Sequence, residues 1–255
     1  MDAANLRGRV EAFIRSHELI QPGGAVTCLV SGGADSTCLW HVLRTLGYDV
    51  SALHVNHRLR GAESEEDARF CSDVLGAEVV TAPPAETEAA LRDLRYSYAT
   101  DRLRATGHTA SDQVETILYR LVSSGRAHGI KPHREDGVVR PLLTLWREET
   151  EAYCRAVGLG FRLDTSNPDT KRGLIRAEVL PLLRRLHPGA DENLLAQPLK
   201  KVMTARPISI REEALAVEAL KMFDEHNIDD LIVVNARREP VGLVDSQDLP
   251  KLKLM

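Results

Sequence analysis

The chain has 255 residues, 43% of them hydrophobic and 27% charged, with a formal net charge of −4. That length suits one large domain, or one domain with a smaller module. The acidic balance excludes nucleic-acid binding by bulk positive charge, though not by a local basic groove. No apolar run approaches the roughly 20 residues needed to cross a bilayer, and no signal peptide is visible, so neither a membrane role nor export is expected.

In chain order, "AVTCLVS" (25–31) reads as a buried strand, and 35–46 as an amphipathic helix closed by Gly47. The next strand is 49–57. A helix over 64–76 and the strand "AEVVTA" (77–82) follow. Then come a helix around 86–106 and another over 111–121. This alternation predicts an α/β fold, a parallel sheet with helices on both faces. The scattered cysteines, Cys28, Cys38, Cys71 and Cys154, form no CxxC pair. They read as buried free thiols, which suits a reducing cytoplasm.

The texture changes after "LHPGADENLLAQP" (186–198). Lys131 and Lys171 are the two lysines before that point, whereas Lys200, Lys201, Lys221, Lys251 and Lys253 follow it. We expect a first domain over 1–187, a linker over 188–197 and a small α+β module over 198–255.

The stretch "SGGADS" (31–36) lies between the first strand and its helix. In a parallel sheet ligands bind beyond the carboxyl ends of the strands. Two glycines there let the backbone approach a ligand, and the helix N-terminus offers unpaired N–H groups to an anion. Ser31 and Ser36 add hydroxyl donors. Asp35 has the wrong charge for phosphate and suits a Mg²⁺ bridging phosphates. An ordinary strand–turn–helix joint, capped by Asp35 or Ser36, is the plain alternative. Asp112 and Glu115 stand three apart at a helix start, so their carboxylates share a face and stay charged.

The loop resembles the SGGxDS pyrophosphate (PP) loop of the ATP-pyrophosphatase superfamily. "HVNHRLRGAESEEDARFC" (54–71), "LRDLRYSYATDRL" (91–103), "GHTASDQVETILYRL" (107–121), "RPLL" (140–143) and "DTSNPDTKRGLIRAEVLPLL" (164–183) then come in the order seen in tRNA(Ile)-lysidine synthetases. The resemblance covers about 6–195 and implies a Rossmann-like PP-loop ATPase fold and a cytoplasmic ATP-dependent ligase. In the implied reaction the carbonyl oxygen of the wobble cytidine of isoleucine tRNA attacks the α-phosphate of ATP, and L-lysine then displaces AMP through its side-chain amine.

Under that resemblance Ser31, Gly32, Gly33, Ala34, Asp35 and Ser36 cradle ATP. His54 and Asn56 line the adenosine pocket, a core histidine being the other reading. Asp112 and Glu115 meet the lysine ammonium or Mg²⁺, with Asp35 and Asp112 as the metal ligands. His108 takes an ATP- or substrate-side role. Arg95 neutralises phosphate charge with Arg92 on the same helical face, unless both belong to a surface ion-pair face. Arg140 and Arg176 reach ATP or the tRNA backbone. The sequence departs from the family's "GHHxDDQ" at Thr109 and Ser111 and from "RNxIR" at "RGLIR"; Ser111 removes a possible carboxylate.

Residues 198–252 resemble a single cystathionine-β-synthase (CBS) motif, nearest to the second such motif of arabinose-5-phosphate-type isomerases. Its helix carries apolar residues at 215, 219, 220 and 223, and Asp248 matches the ribose-binding position. Such motifs pair, so a lone one predicts homodimerisation through its apolar face. A catalytically silent adenine-nucleotide sensor, or another PP-loop nucleotide-activating enzyme, is the alternative function.

Overall fold

The computed structural model describes residues 2–84, 87–162, 170–196, 208–226, 228 and 230–245. The chain divides into two compact units, residues 1–196 and 197–255.

The first unit is built on a five-stranded sheet: β1 (Ala25–Leu29), β2 (Asp49–Asn56), β3 (Glu78–Thr81), β4 (Leu103–Thr106) and β5 (Val138–Val139). Their spatial order is β3-β2-β1-β4-β5 and every pairing is parallel. The order reverses between β1 and β4, and such a switch point opens a crevice beyond the strand ends. Around the sheet lie α1 (Ala3–Ser16), α2 (Ala34–Thr45), α3 (Ala62–Leu75), α4 (Glu88–Tyr96), α5 (Ala110–Ser124) and α6 (Arg147–Ala156).

Residues of α1, α2, α3 and α6 pack on the strands in one continuous core. All four cysteines are buried and free, and each belongs to that core. The segment expected to be one helix over 86–106 is two elements. Its helix ends at Tyr96, Ala99 takes φ +51°, and Leu103–Thr106 pairs with β1 at the centre of the sheet. Burial against two neighbouring strands overrides the local helical pattern.

Beyond α6 come α7 (Lys171–Leu174), a π-helical turn (Ile175–Val179), α8 (Leu180–Leu186) and α9 (Ala190–Leu195). Pro181 has no N–H to return to the preceding turn, and the Leu180 N–H reaches back to the Ile175 carbonyl, widening the helix there. Leu194 and Leu195 pack with Val114 and Leu118 of α5.

The second unit carries β6 (Ser209–Arg211), α10 (Ala216–His226), β7 (Asp230–Val234) and β8 (Pro240–Asp245). β6 pairs parallel and β8 antiparallel with β7. Of the expected apolar helix positions, Ala219 and Phe223 are buried against Leu231, whereas Leu215 and Leu220 are exposed. Asp248 lies outside the described residues.

Candidate active site

The loop between β1 and α2 is folded by its own serines. Ser36 Oγ donates to the Gly33 carbonyl (3.0 Å) and accepts the Ser31 N–H (3.1 Å), while the Thr37 N–H returns to Gly33 to begin α2. Gly32 takes φ +87°, and a Cβ there would meet Phe70 at 3.2 Å and Arg162 at 3.3 Å. Gly33 caps α2 without a side-chain hydrogen bond, so no side chain covers the helix N-terminus.

From the other side of the switch point, β4 delivers Gly107 and His108. A Cβ on Gly107 would lie 3.0 Å from the Asp35 carbonyl carbon and from the Ser36 nitrogen. Only glycine lets the two strand-end loops close on each other. His108 Nδ1 pairs with Thr106 Oγ1 at 2.8 Å. Burial pulls its pKa down to about 4 against the opposing pull of Asp112, so the ring is neutral near pH 7.

Between these loops sit three carboxylates. Asp112 Oδ2 accepts the Thr109 N–H (2.8 Å) and hydroxyl (3.0 Å), which places the side chain while starting α5. Glu115, one turn on, is buried and held by Arg176, Nε to Oε1 at 2.7 Å and Nη2 to Oε2 at 3.0 Å. Asp35 takes a hydrogen bond from the Thr150 hydroxyl. Desolvation raises its pKa to about 6, although Thr150 and Arg147 work against it.

Arg147, the first residue of α6, joins all three acids. Its Nη2 meets Asp112 at 3.0 Å, its Nε meets Asp35 at 3.4 Å and its Nη1 meets Glu115 at 3.4 Å. One guanidinium thus marks a point that Asp35 and Asp112 share. Asp35 Oδ2 and Asp112 Oδ1 are hard carboxylate oxygens, the donor type that Mg²⁺ takes.

The crevice wall adds His54, Arg60, Asp67, Arg95 and Arg162. His54 Nδ1 lies 2.9 Å from the Val30 carbonyl, which can only accept, so Nδ1 carries the proton and Nε2 remains an acceptor. Arg162 is tied to the glycine loop through its N–H to the Gly32 carbonyl (2.8 Å), and its guanidinium rests on Asp67 (2.9 Å), which also holds Arg60 (2.5 Å).

Of the residues singled out from the sequence, Ser31, Gly33, Ala34, Asp35, Ser36, His54, Arg95, His108, Asp112 and Arg176 line this crevice. Gly32 shapes its floor, and Glu115 stands behind Asp112. Three others are directed elsewhere. Asn56 spends its side chain on the Arg58 N–H (2.9 Å) and Glu65 (3.2 Å), Arg92 pairs on the surface with Asp93, and buried Arg140 holds the Lys131 carbonyl (2.5 Å). Arg147, Thr150, Gly107 and Arg162 escaped the sequence reading. Gly107 had a local signal, a glycine before the histidine at a strand end, but the others reach the site through the fold alone.

A phosphate-ready loop at the switch point of a parallel sheet, faced by carboxylates and arginines, defines a nucleotide-binding α/β domain. The model of the PP-loop domain matches residues 8–183, and that of the CBS domain matches 199–252. The chain belongs to the PP-loop family of ATP-binding domains, with a CBS domain behind it. It is similar to the tRNA(Ile)-lysidine synthase of Geobacter sulfurreducens, 37% identical over 92% of this chain and 56% of that protein. The enzyme of the same name from Dehalococcoides mccartyi is 33% identical, over 97% of this chain and 57% of that protein. The chain thus spans just over half the length of these relatives. Among solved structures, the U34-tRNA thiolase NcsA from Methanococcus maripaludis shares the fold, with a TM-score of 0.55 and 15% identity over 75% of this chain and 76% of that one. No helix among the described residues is long and apolar enough to cross a membrane.

Proposed function

We propose that this chain is an ATP-dependent carbon–nitrogen ligase that attaches L-lysine to the wobble cytidine of isoleucine tRNA. The observation that carries the reading is the juxtaposition of the Ser31–Ser36 loop with the Asp35, Asp112 and Glu115 carboxylates in one crevice. An anion site and a cation site side by side suit a triphosphate and an alkylammonium. The names of the similar proteins supply the particular substrates.

In the first step the cytidine carbonyl oxygen forms a bond to the α-phosphorus of ATP, and the bond to the departing pyrophosphate breaks. The open N-terminus of α2 and the hydroxyls of Ser31 and Ser36 hold the phosphates, and Arg95 and Arg162 offset their charge. A Mg²⁺ at Asp35, on the phosphate-loop side, would neutralise phosphate charge and leave Asp112 Oδ1 to the amine. In the second step the lysine ammonium, held at Asp112 with Glu115 behind it, gives a proton to a crevice carboxylate, and the freed amine bonds to the activated ring carbon as AMP departs with the cytidine oxygen. His54, a lining residue whose Nε2 is left as an acceptor, suits an exocyclic amine such as that of adenine.

We take residues 1–187, with α9 packed on them, as the catalytic domain and 198–255 as the CBS module. In that module Leu215, Val217, Leu220, Val241 and Leu243 are exposed. Val241 and Leu243 alternate along β8 with the core-packed Val244, so they lie on the sheet face turned away from α10, and exposed apolar residues there support pairing of two copies. The four buried thiols suit the cytoplasm. The CBS match favours one second reading: an adenine-nucleotide sensor without turnover. Pyrophosphate release from ATP separates the two. Release that needs isoleucine tRNA, with lysine becoming attached to it, supports the ligase; tight ATP binding with no release in any combination supports the sensor.

A further inference from the structure

Each carboxylate oxygen at the centre of the crevice already has a partner, and one side chain holds the outward share. Asp112 Oδ2 is committed to Thr109, and Asp35 Oδ1 to Thr150. Glu115 is gripped at both oxygens by Arg176. That leaves Asp112 Oδ1 and Asp35 Oδ2, and among the described residues both meet only Arg147, which also shares Glu115 Oε1.

Arg147 and Arg176 are held differently. Arg176 makes a close two-point pair with Glu115, the geometry of a fixed support. Two of the three Arg147 contacts are 3.4 Å, beyond the ordinary N–H···O range. Its backbone is anchored as the first residue of α6, with its N–H donating to Ser111 Oγ at 3.2 Å, so the free part is the side chain. With Arg147 in place, three acids face two guanidiniums. With it withdrawn, Arg176 is the one guanidinium still paired to these acids among the described residues, and Asp35 Oδ2 and Asp112 Oδ1 open to an incoming cation. A guanidinium and an ammonium cannot share those oxygens, because like charges so close repel strongly.

We infer that Arg147 masks the amine-binding carboxylates of the empty crevice and is drawn off them by the triphosphate, so that nucleotide binds before lysine. The inference rests on the proposed ligase function. The destination is adjacent, since Asp35, which Arg147 touches, belongs to the phosphate loop itself and Arg147 lines the same crevice. Arg147 is thereby a positioning residue that sets binding order and keeps the chain's own cation where the substrate's will go.

The test uses the full chain, with a non-hydrolysable ATP analogue and free lysine in a calorimeter, and a crystal structure of the analogue complex. The expected result for wild type is lysine affinity higher by roughly ten- to a hundredfold with the analogue than without. Arg147→Met is expected to bind lysine equally well in both states, and Arg147→Lys to restore the order. Retained analogue binding by Arg147→Met shows that the variant is folded. In the crystal the guanidinium should leave Asp35 and Asp112 for the phosphates. The inference is overturned if Arg147 stays on both acids in the complex, or if Arg147→Met loses lysine in both states while binding the analogue. Lysine binding in no state sinks the ligase reading, and the masking with it, even if Arg147 has moved to the phosphates.

Discussion

Arg176 grips buried Glu115 by both ends of its guanidinium, at 2.7 and 3.0 Å, and does so from a π-helical turn. The widened turn places Arg176 at the carboxylate group, a use of π-helix common at functional sites. Breaking a buried pair leaves an uncompensated charge, at a cost of 3–5 kcal/mol. Arg176 is half exposed, which screens part of this. Arg176→Met, which strands the buried Glu115 carboxylate, should therefore lower unfolding stability by roughly 3 kcal/mol, at the low end of that range. Denaturant melts check it. A Glu115→Met, Arg176→Met pair should recover much of the loss, because neither charge is then stranded.

Gly107 lets β4's exit loop touch the phosphate loop. A methyl group there would press on the main chain of Asp35 and Ser36 at about 3.0 Å, and main chain at a helix start cannot step aside. Overpacking of this kind costs roughly 1–3 kcal/mol. If the strain is borne by the loop, Gly107→Ala should weaken ATP-analogue binding by about tenfold or more while leaving the far-ultraviolet circular dichroism unchanged. Equal affinity in the variant would show that the two loops are not mutually constrained.

The metal-free protein should carry two opposed pH dependences. His108 has its pKa lowered by burial to about 4, so the unfolded chain binds its proton first, and stability is lost as pH falls from 6.5 towards 4. Asp35 has its pKa raised by burial to about 6, so stability is lost as pH rises from 3.8 towards 6. Each effect is worth roughly 3 kcal/mol. Relative to wild type, His108→Asn should gain on acidification through this window and Asp35→Asn should gain on alkalinisation. Unfolding midpoints measured between pH 4 and 7 check both slopes; parallel profiles would sink the assignment.

The second unit should associate through its uncovered face. Val241 and Leu243, on the sheet face turned away from α10, are 52% and 63% exposed, which is unusual for apolar residues of a small mixed sheet. Sedimentation of the full chain should show a concentration-dependent dimer, and Val241→Glu with Leu243→Glu should return it to monomer without altering ATP-analogue binding. A monomer at every concentration in wild type would remove the pairing.

Sequence alone determined whatever depends on neighbours in the chain. The strand–glycine–helix unit at Ser31–Ser36, the buried thiols and the paired placement of Asp112 and Glu115 are local patterns, and the ordered motifs led to the PP-loop family. Only tertiary structure decided the rest. Leu103–Thr106 looked helical and became a central strand, because pairing with β1 buries it. Asn56 and Arg140, singled out for the site, are taken up by loop carbonyls, amides and a neighbouring acid. Arg147 comes from 112 residues beyond Asp35 and 35 beyond Asp112, so no periodicity links it to either. Its place among three acids follows from the packing of α6 against α2, which brings distant charges to one point that local chain geometry cannot specify.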